Sequence, residues 1–292
     1  MDAFNYIVAG HLFTVQNAGI PQLEEMLSHY APFRVETLPA ERPVFVLNVV
    51  PVSELPVPDG LVEEFNQDDD GSRIRLSRTP SGCMWFDFCL WDSLAGSMMA
   101  SPSFDTATLV MHEHSDFALN NALMVMYAMS TARKGTALFH AAVIGYEGRG
   151  YLFLGKSGTG KSTHARLWLK NISGSELVND DNPVVRVLPD GTVRVYGSPW
   201  SGKTPCYRNM DLPAGAFVQL AQAPYNAIRR LKGIGAYAAL VPSISGMRWE
   251  RSLADGVHET EDTLAGTVPV WHLDCLPDSA AALLCMENVT KA

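Results

Sequence analysis

Two stretches of this 292-residue chain satisfy the same formal pattern, G-x-x-x-x-G-K-[ST]: GKSGTGKS at 155–162 and GSPWSGKT at 197–204. The chemistry behind the pattern is the cradling of phosphate. A strand delivers a glycine-rich turn whose backbone N–H groups point at phosphate oxygens, and the helix that follows adds its positive dipole end. The lysine reaches the β- and γ-phosphates, and the Ser or Thr hydroxyl binds Mg²⁺. The pattern therefore has meaning only between a strand and a helix.

The first stretch meets that condition. Apolar YLFL precedes it, and STHARLWLKNI follows with Ala165, Leu167, Trp168, Leu169 and Ile172 on one helical face. The expected cradle is Gly155, Ser157, Gly158, Thr159, Gly160, Lys161, Ser162 and Thr163. The second stretch fails the test. Pro199 stiffens the turn and removes a donor, and Pro205, Asn209, Asp211 and Pro213 leave no apolar helical period. It reads as a loop, and two roles fit it. Either Lys203 faces the cradle and neutralises charge on a phosphoryl group in transfer, or the segment is a surface hairpin with solvated basic residues and Trp200 packed into a domain contact.

Phosphoryl transfer also needs a carboxylate near Mg²⁺ and, for a hydroxyl acceptor, a group that takes its proton. SELVNDDNPVV supplies Asp180 and Asp181 at the end of a predicted strand, 19 positions after Lys161. One return strand after the helix brings such a pair near the phosphates. Successive residues on a strand point to opposite sides, so one carboxylate faces the metal and the other the substrate. An Asp-Asn turn that merely caps the strand is the structural alternative. His140, in LFHAAVI, sits in an apolar strand, where a histidine is ordinarily a satisfied core residue.

The elements that must position these groups fall into two regions. Up to residue 112 the chain reads as a β-rich domain: YIVAGHLFTV, PVFVLNVVPV, RIRLSR and CMWFDFCLW are strands, and IPQLEEMLSHY is a helix. NQDDDGS is a solvated hairpin tip, since no calcium-loop spacing follows its aspartates. Residues 113–292 form the second domain, into which a long helix leads from Ser115 towards Gly135. Strands ALFHAAVIGY and GRGYLFLG then meet at a turn around Glu147 and Gly148. ELVND follows, then PVVRVL and TVRVYG joined by a PDG hairpin, and last a strand VPVWHLDCL and a helix PDSAAALLCMENV with Pro277 in its first turn. The expected fold class is α/β, a mixed-sheet P-loop domain with a β-rich N-terminal domain.

Bulk properties narrow the partners. A net charge of −9 and a pI near 5.3 argue against nucleic acid. No run approaches the roughly 18 apolar residues of a membrane span, and MDAFNYIVAGHLFTV lacks the basic region and cleavage site of a signal peptide. The five cysteines are odd in number and irregularly spaced, which fits reduced thiols in a cytoplasm. His112 and His114 have the spacing of a metal pair but no third ligand, so they read as a strand end entering a helix cap.

His140 in FHAAV, FLGKSGTGKST and LVNDD together resemble the catalytic domain of HPr kinase/phosphorylase, more loosely the P-loop region of ATP-dependent phosphoenolpyruvate carboxykinase, and best the HPr-kinase-like proteins of bacteria with a GSPWSGK-like segment after the Asp pair. The likeness covers about 136–210. It implies a P-loop on a mixed sheet, with Lys161 and Ser162 on ATP and Mg²⁺, Asp180 as the proton-accepting carboxylate, Asp181 on the metal side, and His140 beside the pair. Two departures point away from HPr itself as the acceptor. Thr163 stands where HPr kinase has an acidic residue, and MDLPAGAFVQLAQAPYN lacks that family's glycine-rich signature. The expected function is an ATP- and Mg²⁺-dependent phosphotransferase acting on a hydroxyl of a small molecule, peptide or protein. The alternatives are a nucleotide-binding regulatory module and a carboxykinase-like lyase. Neither the acceptor nor the oligomeric state is legible.

Overall fold

The computed structural model describes residues 2–37, 39–69, 71–202 and 204–291. Contacts divide the chain into two compact units, Met1–Thr131 and Ala132–Ala292. Both are built on large mixed sheets.

The first unit runs β1 (Asp2–Val8), β2 (His11–Asn17), α1 (Leu23–Met26), β3 (Phe45–Val49), β4 (Val62–Asp69), β5 (Ser72–Arg78), β6 (Met84–Leu90), β7 (Ser93–Ala100), β8 (Thr106–Met111) and α2 (Ser115–Thr131). Its strands lie in the order β1-β2-β3-β8-β7-β6-β5-β4. β2, β3 and β8 pair in parallel and the other neighbours antiparallel. α2 packs on β3, β6, β7 and β8, and Tyr127 on it donates to the carbonyl of Val8 at 3.0 Å. The unit boundary therefore falls after this helix, whereas the sequence reading drew it before Ser115. The helix is bound where its apolar residues find a sheet. The expected helix at IPQLEEMLSHY is one short α-turn followed by a 3₁₀ segment, Ser28–Phe33, with Pro32 inside it. β4, β7 and β8 are strands beyond those expected from the sequence. VEEFNQDD carries a strand in charged residues, and SLAGSMMA is built from residues of low strand propensity.

The second unit runs β9 (Thr136–Leu138), β10 (Ala141–Tyr146), β11 (Arg149–Leu154), α3 (Lys161–Asn171), β12 (Glu176–Asp181), β13 (Val184–Val187), β14 (Val193–Tyr196), β15 (Asp211–Gln222), β16 (Ala227–Leu231), α4 (Ile234–Leu240), α5 (Arg251–Thr267), β17 (Val270–Cys275) and α6 (Ser279–Val289). The main path is β12-β10-β11-β15-β14-β13-β9, and β17 joins β15 to β16. β11, β15 and β17 are parallel, which places the loops after all three at one end of the sheet. Such central strands are covered on both faces and so read as continuous apolar runs: Tyr151, Leu152, Phe153 and Leu154 are all buried. Region 211–267, where the sequence pattern marks no element, supplies the long central strand β15, the edge strand β16 and two helices.

α3 and α6 pack on one face of this sheet. On α3 the buried positions are Lys161, His164, Ala165 and Trp168, a stripe at helical spacing; Ile172 continues it, while Leu169 is exposed. The Trp168 ring, fully buried, lies 5.5 Å from Tyr151 and 5.6 Å from Phe153. Deleting it would cost about 3–5 kcal/mol and loosen the helix from the strand that precedes its loop. α6 begins later than expected. Asp278 caps it, accepting from the Ala281 N–H at 2.8 Å, so Pro277 precedes the helix. Among the described residues, no helix is long and apolar enough to cross a membrane.

Candidate functional site

The loop between β11 and α3 is a tight turn held by its own backbone. Thr159 N–H donates to the Lys156 carbonyl at 3.1 Å. Gly158 and Gly160 stand at φ 76° and 106°, a region that side-chain-bearing residues rarely occupy. At the end of β15, Gln222 Nε2 donates to the Gly158 carbonyl at 3.1 Å, tying the turn to the neighbouring strand. Among the described residues no side chain caps the N-terminus of α3, so its leading N–H groups keep their donor capacity for a ligand. Lys161 is buried, and its Nζ donates to the carbonyls of Gly155 (3.0 Å) and Lys156 (3.4 Å). The ammonium is thus folded over the turn. Ser157 and Gly158 are exposed, whereas Gly155, Thr159, Gly160, Ser162 and Thr163 are partly buried.

The two aspartates at the end of β12 do face opposite ways. Asp180 pairs with Ala142, which belongs to the core under α3. It is 5% exposed, and its Oδ1 accepts from the Ser162 hydroxyl at 2.7 Å. Asp181 pairs with Ala141. Its Oδ1 lies 3.4 Å from His140 Nε2, and Asn182 Nδ2 donates to its Oδ2 at 2.7 Å. Geometry therefore puts Asp180 beside Ser162 and Asp181 beside His140. The alternation was legible, but which side carried α3 was not. Asp181 also has φ 131°, a strained backbone for a residue with a side chain.

His140 lies between β9 and β10 rather than inside a strand. Its N–H donates to the Ser243 carbonyl at 2.7 Å, and Ser245 N–H returns a bond to Leu138. The 241–245 segment that receives it is fixed from behind. Arg248 donates to the Val241 carbonyl at 2.9 Å and to Glu261 Oε1 at 2.6 Å, and Tyr237 donates to Glu261 Oε2 at 3.0 Å. Glu261 is 0% exposed. A charge that deep is stable only with such partners, and their removal would free the segment behind His140. Sequence alone had no signal for this clamp.

The second glycine-lysine segment forms no helix among its described residues. It lies along the end of β12 as a buttress. Asn179, fully buried, donates to Ser198 Oγ and to the Trp200 carbonyl, both at 3.1 Å. Gly202 N–H donates to the Asp180 carbonyl at 2.7 Å, and Ser201 forms a bridge with Asp181. The two glycines of the pattern serve close packing. A Cβ on Gly197 would come within 2.0 Å of the Arg208 carbonyl, and one on Gly202 within 3.1 Å of Asp181 Cβ. Lys203 lies outside the described residues. Nothing in the sequence marked Asn179 as buried, since asparagine is ordinarily an exposed residue.

Two cavities flank the glycine-rich turn. One, of about 540 Å³, lies between the first turns of α3 and the loops after β15 and β17, with His164, Leu220, Pro224 and Leu276 in its wall. Burial holds the His164 imidazole down to about 4, so it is neutral, and its Nε2 accepts from Trp168 Nε1 at 3.2 Å. The other cavity, of about 560 Å³, lies across the turn, bounded by Lys156, Ser157, Gln219, Ser243 and His272. Among the described residues no cluster of three or more His, Cys, Asp or Glu side chains stands ready for a metal, at His112 and His114 or elsewhere. The five cysteines are free thiols.

No family model matches this chain. No curated protein matches it either. Among solved structures, the Hpr(Ser) kinase/phosphatase from Coxiella burnetii aligns with 53% of this chain and 94% of its own, at 13% sequence identity and a TM-score of 0.31. At that TM-score no residue role is transferred from it.

Proposed function

We propose that this chain is an ATP- and Mg²⁺-dependent phosphotransferase that delivers the γ-phosphoryl group to a hydroxyl. The observation that carries the reading is the 2.7 Å bond from Ser162 Oγ to Asp180 Oδ1. It joins the first turn of a helix that lacks a side-chain cap to the return strand, directly after a glycine-rich turn. A hydroxyl and a carboxylate in contact are two hard oxygen donors, the set that suits Mg²⁺ beside phosphate. Ser162 and Asp180 would hold the cation, which neutralises charge on the phosphates when bound.

The chain's own groups have distinct tasks in this reading. The turn from Gly155 to Gly160 and the N–H groups opening α3 bind the phosphates. Lys161 leaves its loop carbonyls for the β- and γ-oxygens. Asp181, oriented by His140 and Asn182, accepts the acceptor's hydroxyl proton as that oxygen bonds to the γ-phosphorus. The bond from phosphorus to the β-phosphate oxygen breaks, and ADP leaves. Relative to the allotment expected from resemblance, the two aspartates exchange roles, because only Asp180 lies on the α3 side. Lys203, next in sequence to the anchored Gly202, is assigned the neutralising charge on the transferring group.

The test is ATP binding and acceptor-dependent ADP release by purified protein, with and without Mg²⁺. Mg²⁺-dependent binding with turnover on a hydroxyl acceptor supports the reading. Binding without turnover on any acceptor would instead make the chain a nucleotide-responsive module.

A further inference from the structure

We infer that Gln222, the last residue of β15, is a positioning residue of the phosphate cradle: it fixes the peptide planes on either side of Thr159, so that the turn keeps its free N–H groups for phosphate. The inference rests on the phosphotransferase reading and adds to it a residue that lies outside the glycine-rich pattern.

A trans peptide plane carries its C=O and the following N–H in opposite directions. Whatever holds a carbonyl therefore also aims the next amide. On this turn the carbonyls are held one after another. Lys161 Nζ takes those of Gly155 and Lys156, and Thr159 N–H donates to Lys156 as well. Gln222 Nε2 donates to the carbonyl of Gly158 at 3.1 Å and to that of Thr159 at 3.4 Å. Carbonyls only accept, so it is the amide nitrogen of Gln222 that faces them. The Gly160 carbonyl accepts from His164 N–H at 2.8 Å. The N–H groups of Ser157, Gly158 and Gly160, by contrast, make no hydrogen bond among the described residues. Acceptors are occupied and donors are open, which is the arrangement an anion requires.

Lys161 cannot maintain this arrangement once a ligand is bound, because it gives up its two carbonyls for the phosphate oxygens. Gln222 is then the one side-chain donor, among the described residues, left on the carbonyls of the turn. Its backbone is well placed for the task. Leu154, the last residue of β11, pairs with Gln219, so Leu220, Ala221 and Gln222 carry β15 on to the level of the turn. Gln222 pairs in turn with Cys275 on β17, and Ala223 N–H donates to the Cys275 carbonyl at 3.2 Å. An exposed side chain thus stands on a strand end that is held from the far side. Gln222, Gly158 and Thr159 belong to the walls of both cavities. A triphosphate lying along the turn passes this contact whichever cavity takes its nucleoside.

Gln222→Met keeps the length and neutrality of the side chain and removes the donor, and Gln222→Ala removes both donor and length. The side chain is exposed, so both variants are expected to fold, and thermal melts check them. The probes are AMP-PNP and pyrophosphate, titrated into the full chain with Mg²⁺ by calorimetry. Each variant should weaken both ligands by the same factor, about five- to tenfold, as for loss of one hydrogen bond. In ¹⁵N–¹H spectra of the unliganded protein, the amide resonances of Gly158, Thr159 and Gly160 should move in Gln222→Met while those of β11 stay. A side chain that only filled space would leave these amides where they are. The inference is overturned if Gln222→Met binds both ligands as the wild type does, if it leaves the three amides unmoved, or if pyrophosphate does not bind the wild type. Weakening of AMP-PNP alone would also overturn it, by making Gln222 a contact of the nucleoside. A wild type that binds neither ligand would overturn the phosphotransferase reading itself, and the role of Gln222 with it.

Discussion

Ser162 on the first turn of α3 donates to Asp180 at the end of β12 across 2.7 Å, while Asp181, the next residue, sits 3.4 Å from His140 on the other side. Adjacent carboxylates thereby occupy different chemical surroundings, one buried against a hydroxyl and one half-exposed beside an imidazole. The division predicts different failures. Asp180→Asn and Ser162→Ala should weaken the dependence of ATP affinity on Mg²⁺, as read by titrations with and without the cation. Asp181→Asn should keep that dependence and lower turnover by about 10²-fold or more, as for loss of a general base. The opposite pattern would restore Asp180 as the base.

The buttress along β12 predicts a graded cost for its glycines. Gly197→Ala sets a Cβ 2.0 Å from the Arg208 carbonyl, a contact that only backbone movement relieves. Gly202→Ala sets one 3.1 Å from Asp181 Cβ, a milder overlap. Overpacking of this kind costs about 1–3 kcal/mol, and denaturant unfolding should rank Gly197→Ala as the more destabilised. Gly202→Ala should lose turnover out of proportion to stability, because its new methyl presses on Asp181.

His164 gives the unit a dependence on acid. Burial lowers its pKa from an ordinary 6.5 to about 4, so between those values the unfolded chain holds a proton that the folded chain does not. Stability therefore rises with pH across that window and is lost as pH falls from about 6.5 towards 4. The full contribution is on the order of 3 kcal/mol. A series of melts should show this slope in the wild type and a flatter one in His164→Gln.

Lys203→Ala should leave ATP affinity within a few-fold and lower turnover by about 10²-fold, as expected for one preorganised charge on the transferring group. Steady-state kinetics on the identified acceptor separates the two effects. Unchanged turnover would leave the 197–204 segment a purely structural buttress.

What was legible in the sequence is what local chemistry dictates. Strand, glycine-rich turn and helix at 149–171 were readable because an apolar run, a motif and a helical period coincide there. The rejection of a helix after Thr204 followed from its prolines. The hairpin turn at Glu147 and Gly148 was readable too, and both residues adopt positive φ, 48° and 72°. What stayed hidden depends on contacts between distant segments. The face of Asp180 is set by which side of the sheet receives α3. The Arg248–Glu261 clamp joins residues that no spacing rule connects. Gln219 and His272 become neighbours only through the parallel pairing of two strands distant in sequence. β7 was missed because SLAGSMMA depends on burial in a sheet rather than on propensity.

With 155–162 as the single phosphate cradle and 197–204 as its support, calorimetric titration of ATP with Mg²⁺ should give one nucleotide per wild-type chain. Binding should be abolished in Lys161→Ala, and Lys203→Ala should keep one nucleotide of near-normal affinity. Wild-type affinity in Lys161→Ala, or two nucleotides per chain falling to one in Lys203→Ala, would contradict it.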